Sequence, residues 1–198
     1  LVQARKIVDS DACPVYLRRG CNEKIRSYRG WRRLKDNTAK IGKEYADKYP
    51  DTFRVISKEN GGHGSTINCG IRNAVGKYFK VVDGDDWVNT ADFVKLVEDL
   101  EKTESEYVFT NYNEYYDDVN RQKAVDFPQF KDGTEYDFAD VANKVYIPMH
   151  ALVIKTSVLK DNNIVIDEKC FYVDVEYVMF PVPFVNKVTF FDLHVYMY

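Results

Sequence analysis

The fold is decided by the stretch "RVISKENGGHGSTINCGIRNAVGKYFKVVDGDDWVN", residues 54–89. Residues 53–57 read as a strand, 58–64 as a glycine-rich loop, 65–76 as a short helix, and 77–82 as a second strand. A strand, a loop, a helix and a strand in about 30 residues form a βαβ unit, which favours parallel strands and a right-handed crossover. The sequence therefore predicts an α/β domain.

The alternation of helices and strands continues on both sides of this unit. Asp36 or Asn37 can cap a helix that Pro50 stops. Beyond residue 89 the pattern predicts a helix at 90–102 and a strand at 106–116, then a polar, irregular stretch at 117–146. The remaining predictions are an apolar segment at 145–154, a short helix at 156–162 and a last strand at 187–198.

Composition narrows the class of protein. Of 198 residues, 45% are hydrophobic and 30% charged, a balance typical of a globular protein. The net charge of −3 and pI near 5.7 disfavour general nucleic-acid binding. No apolar run reaches the roughly 18 residues of a spanning helix, and no signal-peptide pattern is visible. The cysteines form no C-x-x-C pair, so we expect reduced thiols at Cys13, Cys21, Cys69 and Cys170.

A cluster of acids follows the second strand. In an open α/β sheet, ligands bind beyond the carboxyl ends of the strands, where this cluster lies. Gly84 allows a sharp bend between Asp83 and Asp85, so that their carboxylates can converge on a hard cation such as Mg²⁺ or Mn²⁺. An acidic turn with Asp86 or Asn89 capping the next helix is the alternative, since Asp and Gly dominate turns anyway.

The glycine-rich loop is the second candidate site. Gly61, Gly62 and Gly64 precede a helix start and would present backbone N–H groups to an anion or a ligand ring. The spacing matches neither a P-loop nor a dinucleotide fingerprint, and a role for His63 in loop hydrogen bonding stays open. The crossover should bring this loop and the acid cluster to the same edge of the sheet.

A third candidate lies in "YVDVEY", residues 172–177. Asp174 and Glu176 share a face if the segment is a strand, and lie about 200° apart if it is a helix. Both are surrounded by apolar residues, and a buried carboxylate needs a partner or a chemical role. A structural ion pair remains an alternative to a catalytic acid.

These features together resemble the nucleotide-binding half of the family 2 glycosyltransferases. The family pattern has an N-x-G loop, an asparagine in the next helix, G-x-Y and a D-x-D motif. The matching positions are Asn60-Gly61-Gly62, Asn68, Gly76-Lys77-Tyr78 and Asp83-Gly84-Asp85. The resemblance implies a GT-A fold, which is α/β and Rossmann-like, with a mostly parallel central sheet flanked by helices.

The resemblance also implies roles for individual residues. It implies a metal-dependent, inverting glycosyltransferase with Mg²⁺ or Mn²⁺ held by Asp83 and Asp85. Asp174 matches the aspartate of the family's later E-D segment, which serves as the catalytic base. The sequence departs from the family pattern at two positions. Ile67 stands where many family members have an arginine before the asparagine, and Val173 stands where the glutamate of the E-D segment is usual. The residues implied to bind the nucleotide sugar are Asn60, Gly61, Gly62, Asn68, Asp83 and Asp85.

The implied partners are a nucleotide-diphospho-sugar, with a UDP-sugar favoured, and a glycan or lipid-linked acceptor. No nucleic acid is expected. The implied setting is bacterial surface polysaccharide synthesis in the cytoplasm, at the inner face of the membrane, with peripheral membrane association. A sugar nucleotidyltransferase and an inactive nucleotide-binding remnant are the alternative functions.

The first 34 residues fit this pattern badly. We expect one GT-A-like catalytic domain over residues 1–198, truncated, with an atypical segment at 1–34. Trp31 must be encoded by TGG, and CGA, CGG and CTC are permitted codons for the next three residues. Read one base later, these codons give Gly-Asp-Gly and the start of Ser, as the family has before K-D-N-T. We therefore hypothesise that this segment is translated out of frame, which sequencing the gene would test.

Overall fold

The computed structural model describes residues 27–30, 38–116 and 121–198, which form helices packed on both faces of a mixed sheet. The strands are β1 (Ser27–Gly30), β2 (Phe53–Ile56), β3 (Tyr78–Phe79), β4 (Trp87–Val88), β5 (Tyr107–Tyr116), β6 (Arg121–Val125), β7 (Thr134–Asp137), β8 (Leu152–Lys155) and β9 (Lys187–Met197). The helices are α1 (Thr38–Lys48), α2 (Gly62–Asn73), α3 (Thr90–Leu100), α4 (Phe138–Ala142), α5 (Thr156–Asp161) and α6 (Val173–Met179), with a 3-10 turn at Val182–Phe184.

Local sequence explains where α3 begins and which side it buries. The side chain of Asn89 accepts hydrogen bonds from the N–H groups of Ala91 and Asp92, at 3.0 and 3.2 Å, and so caps the helix. Phe93 and Leu96, three residues apart, are buried against the sheet. The predicted helix is confirmed, and of the two caps that the alternative interpretation of the acid cluster allowed, Asn89 is the one used.

The central sheet has seven strands in the order β3-β8-β5-β9-β4, with β6 paired to β5 and β7 paired to β9. The α/β fold class is confirmed, but the expectation of mostly parallel strands needs correction. Within this sheet only β5 and β9 pair in parallel; the other strand pairs are antiparallel. The parallel pair β1–β2 forms a separate two-stranded sheet. Strand direction depends on partners far away in the chain, which the local pattern does not reveal.

The core lies in two layers because side chains alternate along each strand. Tyr107 and Phe109 of β5 point into the layer covered by α2, α5 and α6. Val108 points into the opposite layer, with Phe93 and Leu96 of α3. Both faces of this part of β5 are therefore buried.

Four sequence-based expectations change in the structure. The segment at 77–82 forms regular strand only at β3, and α2 begins at Gly62, inside the predicted loop. The stretch 117–146, predicted to be irregular, contains β6, β7 and α4 in its described part. "YVDVEY" forms α6, so Asp174 and Glu176 do not share a strand face.

The atypical segment at 1–34 lies outside the described residues, apart from the backbone of β1. Of the four cysteines, Cys69 and Cys170 lie in the described part, and both are free thiols. Among the described residues, no helix has the length and apolar character needed to cross a membrane.

Candidate active site

The acid turn, residues 83–86, separates its three carboxylates by environment. Asp83 is half-buried, Asp85 is exposed and Asp86 is buried. The Tyr196 hydroxyl accepts from the N–H of Asp83 at 3.0 Å and donates to the Asp86 carboxylate at 2.5 Å. Burial raises the pKa of Asp86 to about 6, although the Tyr196 hydrogen bond opposes the rise. Asp86 is thus held inside the turn, whereas Asp83 and Asp85 face outward.

The glycine-rich loop, residues 58–64, meets the acid turn. Nε2 of His63 lies 3.0 Å from Oδ1 of Asp83, and each side chain is 28% exposed. The two loops therefore meet, as expected, but not at the edge of one sheet: β2, which precedes the glycine-rich loop, pairs with β1, whereas β3, which precedes the acid turn, belongs to the central sheet. The partner of His63 is thus a candidate ligand-binding acid of the neighbouring loop.

Lys80 lies buried beneath the acid turn. Its ammonium donates to the carbonyls of His150 and Leu152 at 2.7 and 3.2 Å and sits 5.2 Å from the ring centre of Tyr196. Burial lowers the pKa of Lys80 to about 7. Sequence reasoning missed this residue, although a lysine inside the apolar run "KYFKVV" was an available signal.

His150 connects the acid turn to the candidate base. Its ring packs on Tyr196 and Tyr198, with ring centres 5.0 and 4.2 Å apart. Burial and the charge of Lys80 lower the pKa of His150, and the charges of Asp83 and Asp174 act in the opposite direction. His150 therefore lies within electrostatic range of both acids.

One group of side chains here has the donor atoms of a cation site. Donor atoms of Asp83, Asp86 and His150 all lie within 4.8 Å of one another. Carboxylate oxygens with one imidazole nitrogen suit Mn²⁺ better than Mg²⁺, which prefers oxygen alone. Of the predicted metal pair, Asp83 belongs to this group and the exposed Asp85 lies outside it.

Asp174 lies in the first turn of α6 and is half-buried. Its charge raises the pKa of Tyr146, after the larger effect of burial, which places the phenol near the carboxylate. Glu176, on the other side of the helix, accepts a hydrogen bond from the N–H of Asp167 at 2.8 Å. The two acids therefore have different surroundings, and of the two only the charge of Asp174 acts on the pKa of His150.

The remaining predicted residues lie at the start of α2. Asn60 is exposed, and its side chain accepts from the N–H of Gly62 at 3.1 Å. Gly62 has φ +82°, a conformation that favours glycine. Gly61 is buried, and its carbonyl accepts from the N–H of Lys169 at 2.9 Å. Asn68 is 3% exposed and bonds to the backbone of Ile166.

A comparison with known families identifies the chain. Residues 33–162, more than half of the sequence, match the model of glycosyl transferase family 2. The chain belongs to glycosyl transferase family 2. The match covers the glycine-rich loop, the acid turn and His150, and ends before Asp174.

Curated relatives agree with this membership over short stretches. The chain is 41% identical over 73 residues to the uncharacterized glycosyltransferase EpsJ of Bacillus subtilis, covering 37% of this chain and 21% of EpsJ. It is 35% identical over 71 residues to the minor teichoic acid biosynthesis protein GgaB of the same organism, covering 36% of this chain and 8% of GgaB. The chain thus matches less than a third of the length of either relative.

Solved structures show the same fold. Residues 1–349 of S. aureus TarS, in complex with UDP-GlcNAc, superpose with a TM-score of 0.71 at 18% identity, covering 89% of this chain and 50% of that one. The same protein with UDP gives a TM-score of 0.70 at 19% identity, covering 87% and 50%. The GT-A fold expected from the family is confirmed.

One departure from the family pattern has a structural explanation. Ile67, where many family members carry an arginine, is completely buried in the core layer with Ile71 and Phe79. A guanidinium at this place would lie among apolar side chains and would be costly to bury. Isoleucine is therefore the residue that fits this chain's packing.

Proposed function

We propose that this chain is the donor-binding and catalytic part of a metal-dependent, inverting glycosyltransferase. It moves a sugar from a nucleotide-diphospho-sugar to an acceptor hydroxyl. The observation that carries the proposal is the contact between the glycine-rich loop and the acid turn, where Nε2 of His63 lies 3.0 Å from Oδ1 of Asp83. His150 lies within electrostatic range of both Asp83 and Asp174.

The cation is proposed to be Mn²⁺ or Mg²⁺, and the residues present fit it. Asp83 and Asp85 are the ligands that the family resemblance implies, and His150 offers a nitrogen within 4.8 Å of the Asp83 and Asp86 oxygens. When bound, such an ion neutralises charge on the leaving diphosphate. Asp83 is held for this role by Tyr196 through its N–H and by His63 through its carboxylate.

Asp174 is proposed as the general base. The acceptor oxygen attacks the anomeric carbon, the bond from that carbon to the phosphate oxygen breaks, and its electron pair leaves with the nucleoside diphosphate. The proton of the acceptor hydroxyl passes to the Asp174 carboxylate, and attack from the face opposite the leaving group inverts the anomeric centre. Val173, in place of the family's glutamate, is 2% exposed and packs in the core, so Asp174 alone faces the site from this pair.

The donor and the pathway are proposed from the relatives. The structures of S. aureus TarS contain UDP-GlcNAc and UDP, which favours a UDP-sugar here. GgaB is named for minor teichoic acid biosynthesis, which favours a role in bacterial surface polysaccharide synthesis. We propose a glycan or lipid-linked acceptor and a place in the cytoplasm, at the inner face of the membrane, where peripheral association brings enzyme and acceptor together.

Titration calorimetry with UDP-sugars and Mn²⁺ tests the proposal. The chain should bind a UDP-sugar only with the metal present, and Asp174→Asn should bind it equally well while losing transfer. Formation of a UDP-sugar and pyrophosphate from UTP and a sugar 1-phosphate would instead indicate a sugar nucleotidyltransferase. The same titration is repeated on a variant that has Gly-Asp-Gly-Ser directly before Lys35. If the variant binds the donor and the 198-residue chain does not, the 198-residue chain is an inactive remnant.

We propose that residues 1–198 belong to one catalytic domain and that 1–34 is the out-of-frame part. The family match, which begins at residue 33, supports a boundary there. The gene sequence decides: a nucleotide run that cannot encode Gly-Asp-Gly-Ser in the next frame overturns the frame-shift hypothesis.

A further inference from the structure

Asn68 uses its amide to hold another segment of the chain. Its Nδ2 donates to the carbonyl of Ile166 at 2.7 Å, and its Oδ1 accepts from the N–H of Ile166 at 2.9 Å. Nδ2 also lies 3.3 Å from the carboxylate of Glu168. The side chain is 3% exposed, so both polar ends of the amide are engaged inside the protein. This placement differs from the direct contact with a nucleotide sugar that the family resemblance implies.

The glycines beside Asn68 serve the same contact. A Cβ on Gly64 would lie 1.9 Å from the carbonyl oxygen of Asp167, far below any possible separation. A Cβ on Gly62 would lie 3.2 Å from the backbone nitrogen of Lys169. The N–H of Lys169 donates to the Gly61 carbonyl at 2.9 Å. The backbone of the base-side loop, residues 166–172, therefore packs directly on the start of α2, and only residues without a side chain allow it.

The base-side loop leads straight into the helix that carries the base. The N–H of Asp167 donates to the Glu176 carboxylate at 2.8 Å, which ties the loop to the first turn of α6. Tyr172, at the N-cap of α6, has φ 62°, so the loop ends in a constrained left-handed conformation. Asp174 follows two residues later. A shift of the loop at Asp167 would therefore move the start of α6 and its first acid.

We propose that Asn68 is a positioning residue for proton removal by Asp174. Through Ile166 and the base-side loop it fixes the first turn of α6 relative to the glycine-rich loop, and it makes no contact with the donor. This proposal rests on the transferase function proposed above. In this proposal, the contacts of α2 with the base-side loop fix the donor side of the site relative to the acceptor side.

Asn68→Ala tests the proposal, with Asn73→Ala as the matched control. Asn73 lies on the same helix, and its amide donates to the Cys69 carbonyl within α2. With a UDP-sugar and Mn²⁺, Asn68→Ala should lower kcat by roughly 10- to 100-fold, since misplacing a reacting group by about 1 Å has effects of this size. Its dissociation constant for UDP should stay within roughly threefold of wild type, because no donor contact is removed. Asn73→Ala should match wild type in both.

A second variant keeps the test valid if Asn68→Ala folds poorly. Glu176→Ala removes the other end of the connection at a partly exposed position, and should lower kcat while UDP affinity is kept. Amide hydrogen exchange adds a readout without activity: the N–H groups of Ile166, Asp167 and Lys169 should exchange faster in Asn68→Ala than in Asn73→Ala.

Three results would overturn the proposal. They are a loss of UDP affinity with kcat unchanged in Asn68→Ala, wild-type turnover in that variant, or wild-type turnover in Glu176→Ala when Asn68→Ala does not fold. Asp174→Asn separates this proposal from the function it rests on. If Asp174→Asn transfers sugar normally, the base assignment itself is wrong; if only Asp174→Asn is impaired, Asn68 has no positioning role.

Discussion

The acid turn and the start of α2 match the family pattern equally well, yet the structure uses them in different ways. In the acid turn, Asp85 is exposed, Asp83 is half-buried beside His63, and Asp86 is buried on Tyr196. At the start of α2, the amide of Asn68 and the space left by Gly64 are used to hold the base-side loop. A shared motif thus contains residues of two kinds, those that face a ligand and those that hold the frame around it.

The sharpest test of this difference is Asp83→Asn. This change should abolish Mn²⁺ binding and lower kcat/KM by roughly 100-fold or more, because it removes charge where the diphosphate must be neutralised. Calorimetry with Mn²⁺ and a transfer assay would measure both. Asp85→Asn should behave alike, and Asp161→Asn, an exposed acid on α5, should match wild type. Normal Mn²⁺ affinity in Asp83→Asn would remove the acid turn from the site.

Gly64→Ala tests the other region. Because the added methyl would meet the Asp167 carbonyl at 1.9 Å, the base-side loop must move, and unfolding free energy should fall by about 2–4 kcal/mol. Gly133→Ala is the contrast: its φ is +64° but nothing lies within 4 Å, so only backbone strain of about 1 kcal/mol is expected. Urea unfolding measures both losses. Equal losses would show that the contact with Asp167 has no special weight.

Lys80, which is buried beneath the acid turn, should make the free energy of unfolding depend on pH. Its folded pKa of about 7 is below its ordinary value of 10.5, so between these pH values the unfolded chain binds more protons. Stability from this residue therefore rises with pH across that window, by up to about 1.4 kcal/mol per pH unit. Lys80→Met should flatten the rise in urea unfolding between pH 7.5 and 9.5. The same slope in both proteins would mean that Lys80 stays charged.

The sequence correctly predicts those helices and strands whose position depends on residues close together in the chain. The helix predicted at 90–102 begins at the predicted residue, after the cap at Asn89, and the strand predicted at 187–198 is β9. The mixed sheet could not be predicted in the same way. Whether β8 runs antiparallel to β5 depends on pairing between residues more than 40 positions apart, such as Val108 and Val153.

The same division applies to the site. The meeting of the glycine-rich loop and the acid turn is predicted from the sequence, but the reason is only partly right, because β2 and β3, which precede them, lie in different sheets. The bond between Asn68 and Ile166 joins residues 98 apart in sequence, and Tyr196 reaches Asp86 across 110. Neither partner carries a motif of its own, so only the folded chain shows which residues hold the site together.

His150 gives the smallest and most selective effect, because it stands between the two regions. If its ring joins Asp83 as a ligand, His150→Ala should weaken Mn²⁺ binding by about fivefold and leave Mg²⁺ binding nearly unchanged, since imidazole nitrogen favours Mn²⁺ over Mg²⁺. Competition between the two ions, followed by the electron paramagnetic resonance of free Mn²⁺, measures this ratio. Tyr198→Ala, which removes a ring packed on His150, controls for altered packing. A parallel loss for both ions would mean that His150 shapes the acid turn without binding the cation, as Asn68 does for the base-side loop.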